Sequence, residues 1–260
     1  MTAVRTVVRL VGLPIVLLGL WWVWSANAGN YYAPTPGVVA RTFGDVWTGA
    51  RLLHDALPSV LRLLGGLAAA AVLGVGLGLP IGSSPRLRAF VEPVLEFLRA
   101  IPPPVLVPVL MLFAGIGNGM KVLVIVSGCV WPVLLNTVEG VRGADPVLDE
   151  TCHAYGIVGR ARLRHYVLRS ASPQIMTGLR QALSIGIILM VISEMFASSS
   201  GLGYTIIQFQ RSFAVPEMWT GIVLLGVLGF VLAMLLRLAD RRVLAWYHGQ
   251  RESHREGTPS

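Results

Sequence analysis

Residues 60–82 read VLRLLGGLAAAAVLGVGLGLPIG, and this stretch decides the fold class. Arg62 is its one charged residue, and about 20 apolar residues in a helix are enough to cross the hydrocarbon core of a bilayer. Further apolar stretches lie at 7–26, 104–118, 120–138, 175–196 and 219–238. The stretch at 104–118 is short, and its start runs into Pro102-Pro103-Pro104. The sequence predicts an all-α integral membrane protein with six transmembrane helices.

The composition places the chain among membrane proteins and gives its orientation. Of its 260 residues, 54% are hydrophobic and 13% are charged, against about 25% charged in soluble domains. With both termini in the cytoplasm, fifteen of the 21 Lys and Arg residues fall in cytoplasmic segments and four fall outside. This bias satisfies the positive-inside rule. The net charge of +8 therefore reflects topology and contact with membrane lipid, with no nucleic-acid partner.

The first apolar stretch has two interpretations. Arg5 and Arg9, an apolar run and Ala26-Asn27-Ala28 also describe a cleavable secretory signal. Pro14 and the tryptophans within residues 21–24 favour a retained anchor, because aromatic residues form a belt at the membrane interface.

We predict four parts of the chain. An anchor and extracytoplasmic segment occupies 1–55, and a permease core occupies 56–240. A cytoplasmic loop lies within the core at 145–173, and a disordered cytoplasmic tail follows at 241–260.

Small residues recur every fourth position along the second stretch, at Gly66, Ala70, Gly74, Gly78 and Gly82. Small residues let two helices approach closely in lipid. We expect this flat face to pack within the bundle, in preference to forming a dedicated dimer seam.

The sequence lacks the residues of a catalytic or nucleotide-binding site. A phosphate-binding loop would end in Gly-Lys-Ser/Thr, but the one lysine of the chain, Lys121, follows Met120 beside a span. The five histidines fall in loops or the tail, and Cys129 and Cys152 have no metal-ligand spacing. We expect no enzyme activity, no metal site and no disulfide.

The loop between the fourth and fifth stretches is unusually structured. Asp145 and Pro146 read as an N-cap followed by proline at the first helical position, and Gly156 is placed to end that helix in a left-handed cap. A second helix after Gly159 puts Leu163, Tyr166 and Val167 on one face. We predict a helix–turn–helix with an exposed apolar stripe and a basic flank. It suits docking into a groove on a partner protein or, alternatively, lying on anionic lipid.

This loop resembles the "EAA" loop of ABC importer permeases. Glu150-Thr151-Cys152, three residues and Gly156 match its most characteristic positions, followed after nine residues by Tyr166-Val167-Leu168. Thr151 and Cys152 replace two alanines, Tyr166 replaces an aliphatic residue and Arg169 replaces a proline. Residues 50–240 resemble in order the sulfonate, taurine and nitrate branch. Its pieces include Leu98-Arg99-Ala100-Ile101-Pro102-Pro103, Gly115-Ile116-Gly117, Gly178-Leu179-Arg180, Glu194-Met195 and Ser200-Gly201-Leu202-Gly203-Tyr204.

The resemblance implies the type I importer fold in a bacterial cell membrane and a set of partners. These are cytoplasmic ABC ATPase subunits, a second permease chain forming a homodimer, and an extracytoplasmic binding protein. ATP and Mg belong to the ATPase, and this chain binds no cofactor. The implied substrate is a sulfonate, taurine or nitrate-like anion, with a vitamin precursor or aromatic acid as other possibilities. The residues expected to couple to the ATPase are Glu150, Gly156, Arg160, Leu163, Tyr166 and Val167.

Charged residues within spans are functional candidates because they are costly there. Arg62 either meets an anionic substrate or, as we favour, snorkels to the interface. For Arg180 we expect a pair with a carboxylate of the loop. Glu194 either supports an outer gate or caps backbone donors. The gate itself is predicted at Gly201, Gly203 and Tyr204.

Two other functions are compatible with a polytopic protein. A secondary transporter driven by an ion gradient would carry a proton- or sodium-handling set of residues in the membrane and internal repeats. The sequence shows neither feature. A membrane scaffold without a pathway would not explain the proline-broken third stretch or the structured loop.

Overall fold

A computed structural model describes residues 2–196 and 198–246, with side chains from Gly12 onward. All the regular structure in these ranges is helical. The first helices are α1 Thr2–Ala28, α2 Pro36–Val46, α3 Gly49–Ser83, α4 Pro85–Ala100 and α5 Leu106–Ala114. The remaining helices are α6 Asn118–Arg142, α7 Pro146–Ala154, α8 Gly159–Phe196, α9 Leu202–Arg211 and α10 Val215–Val243. Two short π-helical segments, Leu52–Ala56 and Leu163–Val167, lie within α3 and α8.

The described helices include four that are long and apolar enough to cross a membrane, namely α3, α6, α8 and α10. The helices α4 and α5 pass the same criterion together but are bent by 70°. The described apolar part of α1, Gly12–Ala28, is shorter. The six predicted spans correspond in order to α1, α3, the bent pair of α4 and α5, α6, α8 and α10.

The third predicted span, 104–118, needs correction. Residues 103–105 form a 3₁₀ turn, and α5 then ends at Ala114. Nine residues extend only about 14 Å, less than half of a hydrocarbon core. The break occurs because Pro102, Pro103 and Pro104 lack backbone donors and hold the preceding residue extended.

The fifth predicted span also begins earlier than expected. The second loop helix and the span at 175–196 are one continuous helix, α8, of 38 residues. Pro173 lies inside this helix without ending it. The helix α10 continues to Val243, three residues into the predicted tail, and residues 247–260 of that tail lie outside the described residues.

The chain forms two compact units, which we describe separately. Of the described residues, the first contains 2–58 and 199–227, and the second contains 59–196, 198 and 228–246. In the first unit, the rings of Trp21 and Trp219 lie 5.4 Å apart between centroids. The indole of Trp47 donates a buried hydrogen bond of 2.9 Å to the Thr220 hydroxyl. These contacts join α1 and α2 to the beginning of α10.

The second unit is built on the close packing of α3 against α6. A Cβ atom added at Gly74 would lie 2.8 Å from the Cβ of Val133, and one at Gly78 would lie 2.7 Å from the Cβ of Thr137. Such distances leave no room for a side chain. The small-residue face therefore packs within the chain, as predicted.

The helix α6 packs equally closely against α8 on another side. A Cβ atom at Gly140 would lie 2.9 Å from the carbonyl oxygen of Ala171, and one at Gly178 would lie 2.7 Å from that of Pro132. The three helices α3, α6 and α8 thus form the core of this unit. Each end of α8 carries candidate functional residues.

Candidate functional site

The helix α7 begins and ends as the sequence predicts. The Asp145 carboxylate accepts a hydrogen bond of 2.9 Å from the backbone N–H of Val147, and Pro146 occupies the first turn. At the other end, Gly156 adopts a φ of 72°, and the N–H of Ile157 donates to the carbonyl of Cys152 at 2.8 Å. A left-handed glycine with this bond reverses the chain after a helix. The predicted helix and turn are confirmed.

Two side chains of α8 hold α7 in place. Arg162 donates from Nε and NH2 to Oδ1 of Asp149, at 2.7 and 2.6 Å. The Tyr166 hydroxyl donates to the carbonyl oxygen of Asp145 at 2.7 Å, and the Arg162 guanidinium lies 5.6 Å from the Tyr166 ring centroid. The short helix is therefore tied at its first turn to a helix that continues through the bundle.

The prediction of an exposed apolar stripe at Leu163, Tyr166 and Val167 is wrong for two of its members. Tyr166 and Val167 are buried, and they pack with Val141 and Ala171 in one apolar cluster. Leu163 alone remains exposed. Helical spacing identifies an apolar face, but here the partner of that face is α6 of the same chain.

The exposed apolar surface lies instead on α7 and the turn after it. We call it the coupling surface, and its members are Val147, Leu148, Tyr155, Ile157 and Val158. Tyr155 is 80% exposed and Val147 is 65% exposed. The predicted residues Glu150 and Arg160 are also exposed, beside this surface in the sequence. The signal that sequence reasoning missed is the apolar pair Val147 and Leu148 in the first turn of α7, which follows Pro146.

The opposite end of α8 carries a buried charge cluster. Glu194 is fully buried, and its Oε1 lies 2.6 Å from NH1 of Arg62. The Ser59 hydroxyl lies 2.7 and 2.8 Å from the two carboxylate oxygens. Arg62 also donates from Nε to the Asn118 side-chain oxygen at 2.8 Å. These bonds join α3, α6 and α8.

Lys121 extends the cluster along the first turn of α6. It is buried, and its ammonium group donates to the Ser198 hydroxyl at 2.6 Å.

Arg62 and Glu194 were singled out from the sequence separately, and nothing indicated that they pair. Arg62 does not snorkel to an interface, since its side chain is only 7% exposed. The sequence reasoning missed Ser59, Asn118 and Ser198 as polar partners.

Arg180 binds a partner other than the one predicted. Its NH1 lies 3.1 Å from Oδ2 of Asp240 in α10, and its NH2 donates to the Thr177 hydroxyl. The loop carboxylate Asp149 is already bound by Arg162. Arg180 therefore ties α8 to α10.

The predicted gate residues lie in the first unit. Gly201 precedes α9 with a φ of 122°, which favours glycine, and Gly203 is buried. Tyr204 is half-buried and lines a cavity together with Arg51 and Phe209. The Arg51 guanidinium lies 5.4 Å from the Phe209 ring centroid. Their role as a gate stays a prediction.

The fold defines a class of multi-pass, all-helical membrane proteins with a short helix, α7, between two spanning helices. Residues 70–245 match the family described as binding-protein-dependent transport system inner membrane component. The chain belongs to this family.

Relatives with known names cover almost the whole chain. It is 30% identical to the putative aliphatic sulfonates transport permease protein SsuC of Bacillus subtilis, over 90% of this chain and 86% of that protein. It is 28% identical to the taurine transport system permease protein TauC of Escherichia coli, over 95% and 92%. An inward-facing structure of the MetNI methionine ABC transporter covers 71% of this chain and 94% of its own, with a TM-score of 0.57 and 21% identity. The last likeness shows the fold.

Family membership settles the general activity. The chain is a membrane-spanning permease subunit of an ATP-driven importer. It is not an enzyme, and ATP is hydrolysed by a separate ATPase subunit. A substrate-binding protein is the other partner that the family implies.

Proposed function

We propose that this chain forms the translocation pathway for a small organic solute that carries a sulfonate group, of the aliphatic sulfonate or taurine type, delivered by an extracytoplasmic binding protein. The named substrates of the relatives support this substrate class. The coupling surface supports the proposed contact with the ATPase subunit, because it is an exposed apolar surface on a segment that resembles the family's ATPase-coupling loop.

The coupling surface fits the groove of a protein partner. Exposed apolar side chains come from one short helix and the following turn, and helix-in-groove docking uses such a face. Tyr155 is of a residue type that is enriched among interface hot spots. The bonds from Arg162 and Tyr166 hold this surface on α8. A movement of the ATPase is therefore transmitted to the spanning helix as a rigid-body displacement.

The proposal also covers the orientation, the oligomeric state and the membrane, which are supported by the sequence and the family. Both termini are cytoplasmic, by the distribution of basic residues. Two copies of the chain form one pathway, and the membrane is a bacterial cell membrane. The contact between Trp21 and Trp219 supports a retained first helix, because cleavage after it would remove a ring packed on α10.

Co-purification tests the coupling surface directly. The tagged chain is expressed with its partner ATPase subunit, as the native form, as Leu148→Asp and as Leu87→Asp. Both leucines are exposed, but Leu87 lies on α4, outside the coupling surface. We expect the native chain and Leu87→Asp to retain the ATPase, and Leu148→Asp to lose it by about tenfold or more, since placing a charge in an apolar interface costs at least 1.4 kcal/mol.

Two further variants test the predicted residues Glu150 and Gly156. We expect Glu150→Ala to weaken retention, and Gly156→Arg to disturb the turn, because a φ of 72° strains any side chain. Equal retention of the ATPase by Leu148→Asp and the native chain would contradict the proposed docking surface.

A further inference from the structure

The buried charge cluster at the Glu194 end of α8 carries more positive than negative charge. Arg62 and Lys121 are only 7% and 4% exposed, and Glu194 is the carboxylate that lies with them. Arg62 and Glu194 lie 2.6 Å apart and offset each other. Among the described residues, no carboxylate forms an ion pair with Lys121. Two cations and one carboxylate leave the cluster with a formal net charge of +1.

The position of Lys121 is unfavourable for a positive charge in three ways. A buried charge without an opposite charge beside it is costly. Arg62 acts on Lys121 together with Glu194, and the guanidinium repels the ammonium. Lys121 also lies in the first turn of α6, at the positive end of the helix dipole. A negative charge beside Lys121 would reduce all three costs.

The hydrogen bond of Lys121 does not supply this negative charge. Its ammonium has three N–H donors, and among the described residues its acceptor is the Ser198 hydroxyl, at 2.6 Å. Ser198 is half-buried and lies in the non-helical segment between α8 and α9. An anion attracts an ammonium more strongly than a neutral hydroxyl does. A small anion can therefore take the place of Ser198 on Lys121.

The cluster reaches the surface at the first turn of α6. Asn118 is exposed and precedes Lys121 by three residues, so both lie on one side of this helix. The Asn118 side-chain oxygen accepts the 2.8 Å hydrogen bond from Arg62. Gly117, the N-cap residue, has no side chain to bond the first N–H groups of α6, and such groups bind anions. A small anion would thus meet backbone donors at the surface and a buried positive charge behind them.

We propose that this cluster is a binding site for a small monovalent anion, held by the Lys121 ammonium and the first N–H groups of α6 and favoured by the Arg62 charge. The acidic group of a solute and inorganic chloride share this chemistry. The inference concerns the charges of this chain alone, so it goes beyond the proposed function and does not depend on docking of the ATPase.

Three small probes test the site and separate the two sources of the anion. Chloride is the inorganic probe, methanesulfonate carries the acidic group of an organic solute, and dimethyl sulfone has nearly the shape of methanesulfonate without its charge. Thermal unfolding of the complete transporter in lipid nanodiscs is followed at constant ionic strength, as each anion replaces gluconate or as the sulfone is added. A ligand that binds the folded state raises the unfolding temperature with its concentration. We expect an anion to do so and the sulfone to have no effect, and the anion with the smaller apparent Kd identifies the source.

Substitutions distinguish an anion site from a structural role of Lys121. Lys121→Met removes the charge and keeps an unbranched side chain. We expect the apparent Kd of the anion to rise about tenfold or more, while the stability without anion stays the same or rises, because a buried charge without a counter-ion is removed. Ser198→Ala removes the hydroxyl that competes for Lys121 and should lower the apparent Kd. The control Arg41→Gln removes an exposed cation of α2 and should leave the apparent Kd unchanged.

Three results would overturn the site. The first is that no anion stabilises the native protein, or that methanesulfonate and dimethyl sulfone stabilise it equally. The second is an apparent Kd that Lys121→Met leaves unchanged. The third is an apparent Kd that Ser198→Ala raises or leaves unchanged, since the anion would then not take the place of the hydroxyl. None of these results bears on the ATPase contact, which co-purification tests separately.

Discussion

The two ends of α8 differ in the way they use polar and apolar residues. At the end near Glu194, charged groups are buried and bind one another, and the helices α3, α6 and α8 meet around them. At the end near Arg162, charged groups lie at the surface and hold α7, which exposes apolar residues. Buried charges that bind each other fix helices in place, whereas an exposed apolar surface needs a partner. Under the proposed function, one helix thus joins a rigid end, near Glu194, to a docking end, near Arg162.

The largest effect is expected at the rigid end. Glu194→Ala removes the carboxylate that binds Arg62 and Ser59, and breaking a buried ion pair costs about 3–5 kcal/mol because the other charge remains buried. We expect a large fall in the thermal unfolding temperature of the lipid-embedded protein. The matched variant is Glu139→Ala, which breaks the exposed pair with Arg142 and should change stability little. Equal stability of the two variants would mean that the cluster does not hold the helices.

A somewhat smaller effect is expected from the contact of α3 with α6. Gly74→Ala places a methyl group 2.8 Å from the Val133 side chain and forces the helices apart, at a cost of about 1–3 kcal/mol. Gly76→Ala changes the same helix two residues later, where the added methyl group meets no atom within 4 Å. Thermal unfolding should show a loss of stability for Gly74→Ala alone. Alanine has the higher helix propensity, so propensity alone would raise the stability of both variants. Equal stability of Gly74→Ala and Gly76→Ala would contradict close packing at Gly74.

At the docking end, the bond between Arg162 and Asp149 is expected to affect coupling more than folding. Asp149→Asn removes the charge that holds Arg162, so α7 follows α8 less rigidly. We expect the amount of solute imported per ATP hydrolysed to fall by about half or more. The protein should stay folded and the ATPase should stay bound, because partly exposed ion pairs contribute only about 1 kcal/mol to stability. The control Asp145→Asn keeps a side-chain oxygen as the N-cap acceptor. Unchanged transport per ATP in Asp149→Asn would mean that this bond does not transmit movement.

The smallest effect is expected from one hydroxyl group. Tyr166→Phe removes the hydrogen bond to the Asp145 carbonyl, at a cost of about 0.5–1.5 kcal/mol. Hydrogen exchange of the α7 amides should then become faster, while the rest of the bundle is unchanged. Tyr155→Phe also removes a tyrosine hydroxyl, but from a side chain that is 80% exposed, and it should leave the α7 amides unaffected. Equal hydrogen-exchange rates of the α7 amides in the two variants would mean that the Tyr166 hydroxyl does not help to hold α7.

Local features of this chain were predictable from sequence, and long-range pairings were not. The N-cap at Asp145, the turn at Gly156 and the small-residue face of α3 depend on neighbouring residues, so their spacing alone indicates them. The pair of Arg62 and Glu194 joins residues separated by 132 positions, and no local pattern specifies it.

The incorrect predictions have the same physical basis. The stripe of Tyr166 and Val167 has correct helical spacing, but spacing does not tell whether a face meets a partner protein or the same chain. A loop carboxylate was the predicted partner of Arg180 because the loop lies close to it in the sequence. The partner in the structure, Asp240, lies 60 residues away. Charge and periodicity identify which residues need a partner, and tertiary packing decides which partner they receive.

Photo-crosslinking at the two ends of α8 tests the central claim most directly. A benzophenone amino acid replaces either Tyr155 on the coupling surface or Phe196 at the far end of α8; the two side chains are 80% and 69% exposed. Irradiation of the complete transporter in lipid should join the chain to its ATPase only when the crosslinker is at position 155. Crosslinking to the ATPase from position 196, or none from position 155 in a complex that hydrolyses ATP, would contradict the assignment of docking and rigid ends.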